Sequence, residues 1–205
     1  MKPAALGFRA HSGWAAAVAI TGSPRSPEVV DRCRIELLDR SIPGAAQPYH
    51  EAAELDLKQA EKLIERCIVS SRRLAVQGLH NFIANLRTKG YEPAACGILL
   101  ASGRPLGTLE SVLASHAMIH TAEGELFREA LRYASEECGL PVTRVKERDL
   151  FTEMAAKAGV PEAEVKRHLA EVGRRIGPPW RQDEKSATLA ACLALNAAPQ
   201  RGLPT

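Results

Sequence analysis

The chain has 205 residues, of which 45% are hydrophobic and 25% are charged, and this globular composition excludes a disordered or a fibrous protein. A chain of this length buries enough apolar surface to fold without disulfide bonds or a structural metal, so we expect one domain over residues 1–196 and a flexible tail over residues 197–205. The formal net charge of +3 is compatible with nucleic acid as a partner but does not require it.

The first forty residues predict three β-strands. Short apolar or alternating segments are separated by turns rich in glycine and proline, which are typical of strand ends. The third segment alternates Cys33, Ile35 and Leu37 with charged residues, as a strand with one buried face does. The predicted antiparallel meander comprises residues 4–9, 14–21 and 29–38.

The middle of the chain predicts a long helix followed by a buried strand. After a polar connection over residues 39–54, apolar residues recur every three or four positions over residues 56–89, as in an amphipathic helix. Residues 94–101 are then continuously apolar, which is typical of a strand covered on both faces. Because residues 14–21 are also nearly all apolar, we expect residues 4–9 to lie between these two strands at the centre of the sheet.

The rest of the chain predicts helices and one more strand. Residues 141–145 form a short strand that follows a helix directly, so this strand lies parallel to residues 94–101. The order β-β-β-α-β-α-α-β-α-α-α predicts an α/β fold with a five-stranded mixed sheet, in which three antiparallel strands precede two parallel ones. The predicted helices that flank this part of the sheet are residues 108–120, 122–137, 149–158, 161–175 and 182–195.

Cysteine spacing and hydropathy bear on the cellular compartment. None of the five cysteines forms a CxxC pair, so the sequence supports neither a zinc knuckle nor a thioredoxin-type redox motif. The apolar run over residues 15–20 is too short to cross a membrane. We therefore expect a cytoplasmic bacterial protein without a membrane partner, and the sequence leaves the oligomeric state open, a homodimer included.

Three stretches of the chain resemble the bacterial Holliday-junction resolvases. The sequence LGFRAHSGWA over residues 6–15 is similar to their first hairpin, in which a strand with a catalytic aspartate turns through glycine. Residues 125–145 are similar to the helix and strand that follow their second catalytic position. Residues 183–195 resemble their last helix, which begins with acidic metal ligands. The resemblance implies a ribonuclease H-like fold, a divalent metal centre and a nuclease-like hydrolase that acts on nucleic acid.

The chain departs from the resolvase pattern where metal ligands are expected. Such enzymes bind two divalent cations between carboxylates of the first strand, the fourth strand and the last helix. This chain has Arg9 at the first position, the apolar run of residues 98–101 at the second, and Asp183 followed by Ser186 at the third. Two hypotheses follow: a hydrolase with altered metal ligands, and a catalytically inactive module that binds nucleic acid or another protein.

Histidines and acids supply a second set of candidate ligands. On a continuous helix His116, His120 and Glu123 share one face and could bind Zn²⁺ or Mn²⁺, although histidines at this spacing are also common as packed side chains. Imidazoles in loops could supply acid–base chemistry near neutral pH, with carboxylates orienting them. The predicted catalytic pocket comprises His11, His50, Glu51, His120, Glu123 and Asp183. Its predicted metal ligands, for Mg²⁺, Mn²⁺ or Zn²⁺, are Asp183, Glu123 and His120.

The last third of the chain offers a site acid and a possible nucleic-acid surface. The resemblance implies that the last helix begins beside the ends of the first and fourth strands, so we expect Asp183 to lie within reach of Arg9 and of the His120 and Glu123 segment. The carboxylate of Asp183 needs a cation there, either a metal or Arg9 itself. Trp180 could stack on a base or anchor its loop in the core. Acids are nearly as frequent as bases in this region, so a solvated face of mixed charge is the alternative. The predicted nucleic-acid contacts are Arg174, Arg175, Arg181 and Lys185.

Overall fold

The computed structural model describes residues 1–100 and 105–195. The predicted tail over residues 197–205, and residue 101 at the end of the predicted fourth strand, lie outside the described residues. Five strands form one sheet. These strands are β1 (Lys2–His11), β2 (Trp14–Ser23), β3 (Ser26–Glu36), β4 (Tyr91–Leu100) and β5 (Val142–Lys146).

The sheet has the predicted mixed topology, with the strand order β3-β2-β1-β4-β5. β1 pairs with β2, and β2 with β3, in antiparallel register. β1 pairs with β4, and β4 with β5, in parallel register. The first strand therefore lies at the centre of the sheet between the second and fourth strands, which confirms the predicted placement.

Helices cover both faces of the sheet. Within the described ranges, no helix is both long and apolar enough to cross a lipid bilayer. The helices are α1 (Pro48–Ala53), α2 (Leu57–Thr88), α3 (Leu109–Leu113), α4 (His116–Glu137), α5 (Leu150–Ala158), α6 (Glu162–Ile176) and α7 (Gln182–Leu195), and a single 3-10 turn, Glu147–Asp149, follows β5.

Two of these helices differ from the sequence prediction. α1 lies inside the predicted polar connection over residues 39–54, because six residues that begin with Pro48 are too few to show a helical period. The helix break predicted near residue 121 lies earlier, at Ala114 and Ser115, and α4 continues through Gly124. An interior glycine costs a helix only about 1 kcal/mol relative to alanine, so it does not have to end the helix.

The sheet separates two apolar layers. The first four helices pack on the face that carries Leu6 and Phe8 of β1. The last three helices pack on the opposite face, which carries Ala5 and Val18. Successive side chains of a strand point to opposite faces, so the odd-numbered positions of β1, including Arg9, share the face of α7.

α7 lies directly on the two central strands because two glycines leave room for it. Gly7 and Gly97 are partners in the parallel register of β1 and β4. A Cβ atom at Gly7 would stand 1.8 Å from the carbonyl oxygen of Ala187, and one at Gly97 would stand 2.1 Å from that of Ala190. The backbone of α7 therefore packs directly against the sheet at these two glycines, without side chains of the sheet between them. This close packing holds the first turn of α7, with Asp183, beside the end of β1.

Candidate functional site

Arg9 binds two carboxylates at the end of β1. Its Nη1 donates a hydrogen bond to Oδ1 of Asp183, in the first turn of α7. Its Nη2 and Nε donate to Oε1 of Glu147 at 2.8 and 3.1 Å. Glu147 is the first residue after β5, and the carboxyl ends of the parallel strands lie at this edge of the sheet. The contact between Arg9 and Asp183, which are 174 positions apart, confirms that they lie within reach of each other and selects Arg9 from the two cations expected for Asp183.

The surroundings of Asp183 keep it charged. The side chains of Arg9 and Asp183 are 23% and 19% exposed. Burial raises the pKa of Asp183, but hydrogen bonds from His11 and Arg9 outweigh burial and hold this pKa below its ordinary value. Burial acts to lower the pKa of Arg9, whereas its contacts with Asp183 and Glu147 raise this pKa above the ordinary value. The guanidinium of Arg9 therefore balances the negative charge of Asp183.

The side chains at this edge do not fit a two-metal centre. Two divalent cations need several carboxylates, and here the guanidinium of Arg9 stands where the first one is expected. Residues 98–100 at the end of β4 are apolar. Ser186, where a further acid is expected, is 1% exposed and its Oγ accepts a hydrogen bond from Gln182 at 3.0 Å. Arginine, rather than a metal ion, is the cation that these residues accommodate.

A second polar cluster lies between α1 and α4, on the other face of the sheet. Oε1 of Glu123 is 2.8 Å from Nδ1 of His50 and also accepts the backbone N–H of His50 at 3.3 Å. The Nε2 atoms of His116 and His120 are 3.1 Å apart. One ring nitrogen from each of the three histidines lies within 4.8 Å of the other two. The ring nitrogens of these three histidines are therefore close enough together to contact one ion.

The residues predicted to form one pocket are divided between these two clusters. His11 lies with Asp183, since its Nε2 is 3.0 Å from Oδ1 of that carboxylate. The remaining predicted residues, His50, Glu51, His120 and Glu123, belong to α1 and α4, and Glu51 is exposed. Within the described residues no hydrogen bond or ion pair joins the two clusters. The expected contact of Asp183 with the His120 and Glu123 segment is thus absent from the polar contacts of this part of the chain, because the sheet lies between α4 and α7.

Two members of these clusters lay outside the predicted site. The predicted site does not include Glu147, although its place at the carboxyl end of a parallel strand is a usable signal for a site residue. The sequence suggests His116 as a ligand with His120, but the predicted pocket does not include it. The helical spacing of four residues between these two histidines was the signal that could have included it.

The predicted nucleic-acid contacts lie around the connection between α6 and α7. Arg174, Arg175 and Arg181 are exposed, and Lys185 is half-buried. None of the four forms an ion pair with a carboxylate of the described residues. Nε1 of Trp180 donates to the carbonyl oxygen of Leu169 at 2.8 Å, so this indole anchors the connection, one of the two roles considered for it.

A stack of flat side chains borders Asp183 on the face of α7. The rings of His11 and Trp14 are parallel within 11°, with centroids 4.4 Å apart. The guanidinium of Arg34 lies over the Trp14 ring, 4.1 Å from its centroid. A cavity of about 290 Å³ adjoins the stack, and its lining includes Trp14, Arg32, Arg34, Arg181 and Asp183. Three arginines and one tryptophan therefore line this opening together with the carboxylates of Asp183 and Glu184.

No protein-family model and no curated protein sequence matches the chain. Two solved structures of RuvC from Thermus thermophilus resemble it in shape. The structure of RuvC has a TM-score of 0.50 at 13% identity, and the match covers 92% of this chain and 91% of that chain. RuvC in complex with a Holliday junction substrate has a TM-score of 0.52 at 13% identity, and the match covers 92% of this chain and 90% of that chain. The fold is therefore ribonuclease H-like, and at this identity the likeness concerns the fold.

Proposed function

We propose that this protein binds nucleic acid through its ribonuclease H-like fold and does not cleave it at the edge where β1 meets α7. The observation that carries the proposal is the position of Arg9, whose guanidinium binds both Asp183 and Glu147. A module of this kind keeps the shape that holds a nucleic acid but lacks the metal-binding acids of the resolvases. The proposal thus favours the inactive binding module over the hydrolase with altered ligands.

The absence of cleavage follows from the charges at this edge. A two-metal mechanism uses carboxylates to hold cations that stabilise the attacking and leaving oxygens of a phosphodiester. A divalent cation at Asp183 would have to displace a guanidinium that also binds Glu147, and it would gain few oxygen ligands in return. Loss of the charge-assisted hydrogen bonds of Arg9 opposes that exchange.

The case for nucleic acid combines the fold with the surface beside Asp183. One of the two RuvC structures holds a Holliday junction substrate. In this chain the exposed Arg181 lines an opening together with Arg32 and Arg34, and the exposed Arg174 and Arg175 lie near the end of α6. Guanidinium groups bind phosphates in a bidentate manner, so these arginines offer contacts to a nucleic-acid backbone.

The binding part of the proposal is tested by fluorescence anisotropy with a labelled four-way junction, a duplex and a single strand. We expect binding in EDTA, with an affinity that falls as salt concentration rises. The double variant Arg174→Ala/Arg175→Ala should bind more weakly and reduce the slope of log K against log salt by about 2, roughly 1 for each phosphate contact. The matched control is Lys62→Ala/Arg66→Ala, which removes two exposed cations from α2. Equal losses in both double variants, or no binding to any of the three nucleic acids, would contradict the proposed surface.

The second part is tested by incubating the same nucleic acids with the protein and Mg²⁺ or Mn²⁺. We expect no cleavage products above the level of a metal-free reaction. Cleavage that requires the metal and disappears in Asp183→Asn would overturn this part of the proposal and restore the hydrolase with altered metal ligands.

A further inference from the structure

We propose that His50, His116 and His120 form a Zn²⁺ site, with Glu123 as the carboxylate that orients His50. This inference goes beyond the proposed function and does not rest on it. The site would lie on the opposite face of the sheet from the Arg9 and Asp183 pair. Its ligands come from two elements, α1 and α4, that pack against each other.

The spacing of the imidazole nitrogens suits a tetrahedral zinc ion. Nitrogens bound to zinc at about 2.0–2.1 Å lie roughly 3.3 Å from one another in a tetrahedron. The Nε2 atoms of His116 and His120 are 3.1 Å apart, and the three ligand nitrogens all lie within 4.8 Å. His116 and His120 are one helical turn apart on α4, so the helix itself sets their separation.

Glu123 prepares His50 to act as a ligand. Its carboxylate can only accept, so Nδ1 of His50, 2.8 Å away, carries the proton. Nε2 of His50 in its neutral form then has a free lone pair, which is the form a metal binds. The Glu123 side chain is 6% exposed, and it also accepts the backbone N–H of His50. Carboxylates that bind the outer nitrogen of a metal-bound histidine fix both its tautomer and its orientation.

The charge of this cluster favours a cation. Glu123 is buried, and its ion-pair partner among the described residues is His50, a group that is charged only when it is protonated. When the three imidazoles are in the neutral form that a metal binds, the buried carboxylate leaves a negative charge that a divalent cation would neutralise.

The donor atoms also indicate which metal fits. Imidazole nitrogens suit zinc and its transition-metal neighbours, whereas Mg²⁺ and Ca²⁺ prefer oxygen ligands. His116 and His120 are exposed, so water would supply a fourth ligand. Three protein ligands and one water is the arrangement of catalytic rather than structural zinc sites. Zinc held by these histidines would lower the pKa of such a water toward neutrality.

Zinc binding is measured by isothermal titration calorimetry on protein stripped of metal with a chelator. We expect one Zn²⁺ per chain and loss of this binding in His116→Asn/His120→Asn. Glu123→Gln keeps all three ligands and should weaken the affinity about 10- to 100-fold. The control is His80→Asn, which removes an exposed histidine from α2 and should leave the affinity unchanged.

A measurement on the unaltered chain removes any dependence on variant folding. The chain has six histidines, so the imidazole signals in NMR spectra can be followed one by one during zinc addition. We expect the signals of His50, His116 and His120 to change together and to stop changing at one equivalent. Unaltered signals for these three, or zinc affinity retained by His116→Asn/His120→Asn, would overturn the proposed site.

Discussion

The two polar clusters differ in how their carboxylates are neutralised. On the face of α7, Asp183 is held by Arg9, and the same guanidinium binds Glu147. On the face of α1 and α4, the carboxylate of Glu123 accepts from the imidazole and the backbone N–H of His50 among the described residues. The first cluster supplies its own permanent cation, because arginine stays protonated at every physiological pH. The second cluster supplies imidazoles and one buried carboxylate, a set of groups that can bind a cation from solution.

This difference shows that acids in a site do not by themselves indicate a metal. Asp183 occupies the place in the fold where the resolvase resemblance expects a ligand, but an arginine has replaced its partner acid. The histidine cluster has fewer acids, yet its donors are better suited to a transition metal. A structural ion pair can be distinguished from a set of metal ligands by identifying the group that each carboxylate contacts.

The largest expected effect comes from removing the close approach that positions the first cluster. Gly7→Ala would place a Cβ atom 1.8 Å from a backbone oxygen of α7, so we expect a loss of about 3 kcal/mol in the free energy of unfolding. The control is Gly124→Ala in α4, where the nearest atoms belong to the flexible end of Arg128. That change should be neutral or stabilising by about 0.5–1 kcal/mol. Urea denaturation measures both, and a Gly7→Ala protein as stable as the parent would contradict the packing of α7 on β1.

Zinc should stabilise the protein through the second cluster alone. At a free zinc concentration 100 times the dissociation constant, a ligand that binds only the folded state adds about 2.7 kcal/mol. Thermal unfolding should show this gain in the parent and in Arg9→Gln, but not in His116→Asn/His120→Asn. Equal gains in all three proteins would place the zinc elsewhere on the chain.

Removal of the internal cation should destabilise the first cluster. Arg9→Gln leaves Asp183 and Glu147 without their guanidinium, and we expect a loss of about 2 kcal/mol, since charge-assisted hydrogen bonds in a partly buried place are lost. The comparison variant is Arg167→Gln, whose ion pair with Glu164 is exposed and worth less than about 1 kcal/mol. Chemical denaturation at neutral pH gives both values. The reverse ranking would show that Arg9 does not stabilise the fold.

A smaller effect is expected in the dependence of stability on pH. The pKa of Asp183 is lower in the folded protein than its ordinary value, because contacts with His11 and Arg9 outweigh burial. The contribution of Asp183 to the free energy of unfolding is therefore complete above the pKa of about 3.9 that it has in the unfolded chain. This contribution is lost as pH falls through the pKa of Asp183 in the folded protein. Asp183→Asn should show a flatter loss of stability below about pH 4 than the parent. If stability falls with pH in the same way in both proteins, Asp183 does not contribute to acid unfolding.

Much of the fold could be predicted because its signals are local or compositional. Turn residues separated the first three strands, and apolar runs on both neighbours placed β1 at the centre of the sheet. The closeness of Arg9 and Asp183 was also predictable, but through the resemblance, which implies that the last helix begins beside the end of the first strand. The sequence left a metal and Arg9 as alternative cations for Asp183.

The histidine cluster depends on information that the sequence carries weakly. His50 meets α4 because residues 48–53 form a short helix, and six residues show no helical period. His116 and Glu123 share one helix because α4 continues through residue 121, where the sequence predicts a break between two helices. The prediction that these residues form one pocket was wrong for a related reason. Alternation along β1 assigns its side chains to the two faces of the sheet, but only once the strand order is known.

The position of Arg9 as the cation of Asp183 is tested most directly by the thermal unfolding of the parent and of Asp183→Asn, each with and without Mn²⁺. We predict that the variant unfolds at a lower temperature, by roughly 2–4 °C for each kcal/mol lost. We also predict that Mn²⁺ produces the same shift, or none, in both proteins, because Asp183 binds arginine and not metal. An increase in unfolding temperature with Mn²⁺ that occurs in the parent and is absent from Asp183→Asn would contradict this assignment.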